Sequence, residues 1–464
     1  MTARAPLGRG LLAALAAVAL AFVLGAYSNS FNNEFHFDDS HVVQNNLFIR
    51  STGNIPLFFR YATTFSSQPL NATYRPLVST TLAIDYWLGG GLNPRQFHLS
   101  QLAMLIALCA MLWAFACRAF AQDGPRAWGT VAALFAATLF AAHTANTETM
   151  NAISARSELL STMGVLGSFL VYLAFPSLQR TYLFVLPMVI GALAKTPAVI
   201  FAPLFITWVY LFEQKRSVAD LLTPAGRKSA GAALLKGLPV LAIGLVTFVA
   251  VESQNAPTAT WGGGDRIAYL YTQAFAWLHY ARLFFIPIGL TADTDWRLIT
   301  EWYDTRVMAG LLFIALLVRM LWTTSATPAW RPVTFGLAWF ILALLPASSI
   351  VPLAEVVNEH RVFFPYVGAC LAAAWAAGVW LERWADRGGA AVPAACVAAP
   401  LVLAAFAGGA YERNKAWRTE ESLWKDVTEK SPMNGRGWMN YGLTQMSAGR
   451  FPEAKALFDR ALQY

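Results

Sequence analysis

Two adjacent carboxylates stand near the start of the chain, in the stretch FHFDDSH (35–41). Asp38 and Asp39 lie among aromatic residues, with His36 just before them. A carboxylate beside a reacting hydroxyl can act as a general base, and two aspartates with a histidine also suit a metal ion. A helix cap explains the same letters, because Asp and Ser are common where helices begin. The stretch leaves these three interpretations open.

A third candidate carboxylate lies in the stretch HTANTE (143–148), where an apolar segment ends. Glu148 has no oppositely charged neighbour in the sequence, so it is a second candidate for acid or base chemistry. Arg156 and Glu158 follow a few residues later. We expect these two side chains to form a simple ion pair at the start of a helix.

Four cationic side chains in the predicted external loops suit a phosphate group. They are Arg75, Lys195, His360 and Arg361. Glu359 is expected to hold His360 or Arg361 in place. Interfacial positions explain Arg75 and Lys195 equally well, because long cationic side chains extend from a membrane edge to the lipid headgroups.

Acids and cations together suit a transfer reaction in which an alcohol attacks a carbon that bears an anionic leaving group. The acids would remove the alcohol proton, while the cations would stabilise the charge that develops on a phosphate. A donor with a phosphate head and a lipid tail would reach such a site from within the membrane. The sequence contains no Walker loop or dinucleotide fingerprint, and we predict no cofactor, with a divalent metal at Asp38, Asp39 and His36 left open.

The composition decides where this chemistry takes place. Of the 464 residues, 57% are hydrophobic and only 13% are charged, whereas soluble domains carry about 25% charged residues. A soluble enzyme and a disordered chain are both excluded. The net charge of +8 is explained by cationic cytoplasmic loops, and we expect no nucleic-acid partner. The four cysteines lie in apolar stretches without metal-ligand spacing.

Eleven apolar runs predict eleven transmembrane helices. They are Leu11–Ala26, Phe97–Ala119, Ala127–Ala142, Leu159–Phe175, Tyr182–Leu193, Pro197–Phe212, Gly237–Val251, Val307–Trp322, Phe335–Leu345, Val362–Leu381 and Ala391–Ala407. The first is read as a retained anchor rather than a cleaved signal peptide. Basic residues such as Arg118, Arg319 and Arg383 fall on the side of the N-terminus, which is therefore predicted to be cytoplasmic. Long external loops are predicted at 27–96, 252–306 and 346–361.

One segment resists this count. Asp265–Leu290 is apolar enough to be a twelfth span. Counting it would place Arg319 and Arg331 outside the cell, against the positive-inside rule. We therefore predict an interfacial or re-entrant helix, or a pair of short ones, on the external side.

The last fifty residues become polar and helix-rich. Trp438, Gly442, Gly449, Ala454 and Phe458 follow the spacing of a tetratricopeptide repeat. This predicts two regions: a transmembrane domain at 1–412 and an external repeat region at 413–464. About one and a half repeats are present, so either this tail leans on the membrane domain or it is part of a longer array. A plain helical hairpin is the alternative.

Four stretches, in this order, resemble the TMTC family of protein O-mannosyltransferases and its bacterial relatives. They are FNNEFHFDDSHVVQNN (31–46), YRPLVSTTLAIDYWLGGGLNPRQFHL (74–99), HTANTETMNAISARSELLS (143–161) and LLPASSIVPLAEVVNEHRVFFPYVGACL (344–371). The resemblance implies a GT-C glycosyltransferase fold, an inverting transfer and a polyprenyl-phosphate sugar donor on the non-cytoplasmic side. With the bacterial relatives in mind, we expect the bacterial inner membrane, with the tail in the periplasm.

Residue by residue, the resemblance implies a catalytic acid at Asp38 or Asp39, with Asp38 as the expected base. It implies contact with the donor phosphate by the run Glu359–Arg361. The turn at Lys195 departs from the family pattern, because Thr196 replaces an acid. The tail is also shorter than the arrays of many relatives.

Several readings of the function follow. The first is transfer to Ser or Thr of an exported protein such as a pilin, and the second is the same chemistry on a lipid or a surface glycan. A transporter of lipid-linked sugars would place ionisable residues at mid-bilayer, whereas here they gather in the loops. A scaffold with an inactive membrane domain is the last reading.

Overall fold

The structure, a computed structural model, describes residues 8–122, 126, 128–256, 265–349, 352–353, 355–385 and 391–464. The predicted start of the third span at Ala127 lies outside the described residues, as do 257–264, 350–351 and 354 in the predicted loops. Every regular element in the described part is helical, with no β strand. The predicted all-helical membrane fold is confirmed.

Nineteen α-helices occur in the described residues. The first ten are α1 (Arg9–Ala26), α2 (Ile55–Phe58), α3 (Pro76–Leu88), α4 (Pro94–Phe120), α5 (Gly129–Ala142), α6 (Thr147–Asn151), α7 (Arg156–Ala174), α8 (Pro176–Arg180), α9 (Leu186–Ala192) and α10 (Phe201–Trp208). The others are α11 (Pro224–Glu252), α12 (Arg266–Phe285), α13 (Thr305–Ser325), α14 (Arg331–Ser349), α15 (Phe363–Ala385), α16 (Ala391–Asn414), α17 (Glu420–Lys430), α18 (Gly435–Ser447) and α19 (Phe451–Ala461).

Nine helical segments of the described chain are long and apolar enough to cross a membrane. They are built on α1, α4, α7, α10, α11, α13, α14, α15 and α16. Two shorter apolar helices, Gly129–Ala142 and Leu183–Ala192, occupy the positions of two further predicted spans. The eleven predicted segments are therefore all helical and apolar, and the protein is a multi-pass membrane protein.

Aromatic side chains fill the centre of the bundle. The Phe169 ring lies 5.0 Å from that of Phe115, and Trp208 lies 5.4 Å from Phe335, between ring centroids. Helices α14 and α15 approach more closely, because a Cβ atom at Gly336 would lie only 2.4 Å from the Gly368 carbonyl oxygen. The core is therefore fixed by packed rings and by a backbone contact that only glycine permits.

One end of the bundle, here called the loop face, gathers the predicted first loop (27–96), α6 and the segments 286–304 and 355–362. Helices α4 and α15 start there and carry Arg118 and Arg383 near their far ends. These basic residues therefore lie at the opposite end of the bundle from the first loop.

Helix α12 is one continuous helix rather than two short ones. Near its start, the Tyr269 hydroxyl donates to the Ala347 carbonyl oxygen at the loop-face end of α14, over 2.6 Å. At its other end, the Phe284 carbonyl oxygen lies 3.0 Å from Nε2 of His143, which directly follows α5. Because both ends of α12 contact loop-face ends of other helices, the arrangement favours an interfacial helix over a twelfth span.

The C-terminal helices α17, α18 and α19 lean on the loop face, which is one of the two predicted arrangements. The Lys430 ammonium donates to the Leu290 carbonyl oxygen, 2.8 Å away, and Asn434 donates to the Thr294 carbonyl oxygen over 3.2 Å. Helices α18 and α19 pack together where Gly442 faces the Phe458 ring. The assignment of this region to the tetratricopeptide class stays a prediction.

Candidate functional site

The stretch 35–41 has an unusual backbone. Phe37 adopts a φ of +54°, in the left-handed region that bulky residues rarely occupy. Its ring is held between Trp417 and Trp424, at centroid distances of 5.9 and 5.0 Å. His36 is buried beside it and contacts the Trp417 carbonyl oxygen (2.6 Å) and the Glu420 carboxylate (3.1 Å). His36 and Phe37 therefore anchor the first loop to the C-terminal tail. The His36 ring contacts tail residues and has a supporting role.

Asp39 points into the protein and is fully buried. One carboxylate oxygen accepts from the Ser154 backbone N–H over 2.7 Å, and the other accepts from the backbone N–H groups of Ile153 (2.9 Å) and His36 (3.3 Å). Asp39 thus joins the first loop to the segment before α7. Its oxygens are occupied by backbone donors rather than open to a substrate.

Asp38 points the other way, and its side chain is 74% exposed. Its carboxylate lies 3.4 Å from Nε2 of His41. The hydrogen bond with His41 lowers the pKa of Asp38, as do the positive charges of His41, Arg75 and His360. Together these effects outweigh the partial desolvation of the carboxylate, which raises its pKa. Asp38 is therefore ionised at neutral pH and accessible, as a proton acceptor must be.

His41 is a site residue that the sequence reasoning missed. Its Nδ1 atom lies 2.9 Å from the Ser66 hydroxyl, and the Asn71 amide lies 3.4 Å from Nε2. These contacts fix the imidazole ring against Asp38. The three-residue spacing within DDSH was the available signal, because residues three apart share one face of a helical turn.

Arg75 is the cation that is best placed for a ligand. In the part of the chain described here it forms no ion pair, and its guanidinium lies 5.3 Å from the centre of the Phe65 ring. Burial lowers the pKa of Arg75, and the carboxylates of Asp38 and Glu158 counteract this effect. Arginine stays charged under such conditions, so a positive charge that no described carboxylate pairs directly acts on Asp38.

Glu148 and His360 form a pair across 212 residues of sequence. One Glu148 oxygen contacts Nδ1 of His360 at 2.8 Å, and the other accepts from the His360 backbone N–H over 3.0 Å. Glu148 is buried, whereas the His360 side chain is 29% exposed. Glu148 therefore fixes the ring orientation of His360. His360 is the partner of Glu148 that the neighbouring sequence does not contain.

The expected ion pair between Arg156 and Glu158 is wrong. Arg156 instead pairs with Asp85 at 2.6 Å in a buried position, and Glu158 pairs with Lys195. Residues two apart on a helix do not face each other, and α7 directs these two side chains to different neighbours. Lys195 is thus held by an acid from α7, although Thr196 follows it in the sequence.

Glu359 and Arg361 both bind backbone groups. Glu359 is buried and accepts from the Thr291 backbone N–H. The Arg361 guanidinium donates to the carbonyl oxygens of Glu355 (2.6 Å) and Val356 (3.2 Å). The side chain that holds His360 is Glu148 rather than Glu359. A phosphate contact by Arg361 stays a prediction, and in this structure its side chain secures the segment before it.

The charges of Arg75 and His360 both act on Asp38, and Glu158, whose charge acts on Arg75, holds Lys195. The structure directs Asp39, His36, Glu359 and Arg361 toward supporting contacts. Among the residues that the structure describes, no three His, Cys, Asp or Glu side chains gather as metal ligands would. All four cysteines lie in the described residues, and each is a free thiol.

Comparison with known proteins found relatives along almost the whole chain. Protein O-mannosyl-transferase Tmtc3 of Drosophila melanogaster is 26% identical over 94% of this chain and 54% of its own length. Protein O-mannosyl-transferase TMTC4 of Mus musculus is 25% identical over 90% and 62%, respectively. The resemblance to the TMTC proteins is confirmed.

The similarity to the TMTC proteins has clear bounds. The chain spans about half to two thirds of the length of the relatives it matches. No family model matches the sequence. A solved structure, ArnT from Cupriavidus metallidurans bound to undecaprenyl phosphate, aligns over 98% of this chain and 75% of its own, at 16% identity and a TM-score of 0.38.

Proposed function

We propose that this protein is a membrane glycosyltransferase of the GT-C type. It transfers a sugar from a polyprenyl-phosphate donor to an acceptor hydroxyl at the loop face. The observation that carries the proposal is an exposed, ionised carboxylate, Asp38, within electrostatic range of Arg75, a cation that forms no ion pair with any described residue. The similarity to protein O-mannosyltransferases along 90% or more of the chain supports it.

The chemistry follows from these groups. The acceptor oxygen attacks the anomeric carbon while the bond from that carbon to the phosphate oxygen breaks, with inversion. The acceptor proton passes to a carboxylate oxygen of Asp38, and the lipid phosphate leaves with the bonding electron pair. General-base catalysis of this kind contributes about 10²–10⁴-fold in rate.

The cations stabilise the leaving phosphate. Arg75 offers a planar fork of donors that matches a phosphate, and Lys195 and His360 add point donors. Glu158 and Glu148 hold these two side chains in position. We assign Asp39, His36 and Glu359 to support of the loops, and Arg361 to support of the 355–361 segment beside the donor phosphate.

The acceptor is proposed to be Ser or Thr of an exported protein, because the relatives are named as protein O-mannosyltransferases. A lipid or surface glycan is the alternative acceptor for the same chemistry. We place the protein in the bacterial inner membrane with the N-terminus in the cytoplasm and the loop face in the periplasm. The basic residues at the far ends of α4 and α15 support this orientation.

The test uses purified protein in lipid nanodiscs with a panel of labelled polyprenyl-phosphate sugars. We expect one donor to be consumed by the wild type and transferred to a Ser/Thr peptide or a glycan. Asp38→Asn should lose transfer while it still binds the donor. Glu34→Gln is the matched control, since it removes an exposed carboxylate four residues away. If no donor is bound or consumed, the enzyme proposal is wrong.

A further inference from the structure

The C-terminal tail contacts both walls of the proposed site. On one side, His36 and Phe37 of the first loop rest on Trp417 and its neighbours. On the other side, Arg436 in the first turn of α18 reaches two loop carboxylates. Its Nε lies 2.7 Å from the Asp293 carboxylate, and its Nη2 lies 2.9 Å from that of Glu355.

A continuous set of hydrogen bonds leads from Arg436 to His360. The second Glu355 oxygen accepts from the Asn358 side-chain amide over 2.6 Å. Asn358 is the N-cap of the short helix Glu359–Val362, and its side-chain oxygen accepts from the His360 backbone N–H over 3.4 Å. Glu355 therefore joins a tail residue to the cap of the helix that carries His360.

The contact of Arg436 with Asp293 ties a second loop segment to the tail. Asp293 is buried, and it lies in the segment whose Thr291 backbone N–H donates to Glu359. Arg436 thus connects the two segments that flank His360. The planar guanidinium can engage two carboxylates at once, which the point charge of a lysine cannot do equally well.

We infer that Arg436 is a positioning residue for the transfer reaction, and that the tail is part of the active-site framework. Through Glu355 and Asn358 it fixes the segment that presents His360 to the leaving phosphate. The inference rests on the proposed function for its catalytic consequence. It differs from an acceptor-docking role, in which the tail would affect acceptor binding and leave the chemical step unchanged.

The first experiment needs no activity. Hydrogen exchange of the full chain in nanodiscs is compared for wild type, Arg436→Ala and Arg450→Ala. Arg450 is the matched control, because it is an arginine of similar exposure that pairs at 2.6 Å with Glu421, within the tail itself. We expect backbone amides in 355–362 to exchange about tenfold faster in Arg436→Ala alone. Equal exchange in the two variants would overturn the inference.

The second experiment measures transfer. Arg436→Ala should lower kcat about tenfold at an unchanged acceptor KM, because a misplaced group acts on the chemical step. Arg436→Lys should recover part of this loss, and Arg450→Ala should match the wild type. In the double variant with Glu355→Gln, the losses should be less than multiplicative, since both changes break one connection.

The outcomes separate the inference from the proposed function. A rise in acceptor KM with unchanged kcat would make the tail a docking element and overturn the positioning role. Faster exchange at 355–362 together with an unchanged kcat would overturn it as well. If the wild type transfers no sugar but Arg436→Ala still loosens 355–362, the coupling stands and the proposed function fails.

Discussion

Arg75 and Arg156 both lie near the loop face, yet the surroundings of their guanidinium groups differ. Arg156 is fully buried, and its guanidinium lies 2.6 Å from the carboxylate of Asp85, which in turn accepts from Ser100 over 2.5 Å. Arg75 is half-buried and contacts an aromatic ring, and no carboxylate of the described residues pairs with it. A paired charge in the interior serves the fold, whereas a charge without a partner beside an open carboxylate is available to a ligand.

The same contrast separates the two adjacent aspartates, and it gives the prediction with the largest effect. Asp38→Asn should reduce transfer at least about 100-fold, because the general base is lost, with no change in thermal unfolding. Asp39→Asn should lower stability by about 1–3 kcal/mol, because an amide donor would face backbone N–H groups. Transfer rates and unfolding curves of the two variants, measured side by side, check both expectations. If Asp39→Asn abolishes transfer in a fully folded protein, the roles are reversed.

A pair of arginine substitutions tests the contrast between Arg75 and Arg156 directly. Arg75→Ala should weaken donor binding by about 1.5–3 kcal/mol, the usual loss for a charged hydrogen bond, while the fold stays intact. Arg156→Ala should instead destabilise the protein by about 3–5 kcal/mol, because the Asp85 charge would remain buried without a cationic partner. Donor affinity by filter binding and unfolding by denaturant supply the readouts. Equal donor affinity in Arg75→Ala and wild type would remove Arg75 from the phosphate site.

The sequence was sufficient for the fold because membrane spans carry a strong signal. Each predicted apolar run corresponds to an apolar helix, and the ambiguous 265–290 stretch contains one helix, Arg266–Phe285, whose two ends contact loop-face ends of other helices. Within the proposed site, the sequence offered Asp38 and His360 among its candidates. The residue types alone did not separate Asp38 from Asp39, and only the family resemblance favoured Asp38, because their different directions depend on the left-handed turn at Phe37, which the tail supports.

The pairings were hardest to predict from the sequence. Glu148 meets His360 across 212 residues, and Glu158 meets Lys195 rather than its neighbour Arg156. Such contacts are set by how helices and loops pack, which local spacing does not encode. His41 is the exception, since its position relative to Asp38 was visible in the sequence but its role depends on Ser66, which the loop brings beside it.

The smallest predicted effect concerns the pH dependence of transfer. It measures how far His41 lowers the pKa of Asp38 below that of an ordinary exposed aspartate. The hydrogen bond with His41 is the first cause of the lowered pKa of Asp38. A lowered pKa keeps the carboxylate ionised to lower pH. The base is therefore active above that pKa and is lost as the pH falls through it. The accompanying stability is present above the ordinary value of about 3.9 and disappears over the same fall.

His41→Ala removes this hydrogen bond and should raise the pKa of Asp38. The acid limb of the kcat/KM profile should move to higher pH, while the rate at pH 7 changes little because Asp38 is still ionised there. Ser66→Ala is the milder companion, since it frees the far side of the imidazole but leaves the ring present, and its shift should be smaller in the same direction. An acid limb that stays in place in both variants would mean that Asp38 gains nothing from His41. The difference between Asp38 and Asp39 would then rest on the exposure of their side chains alone.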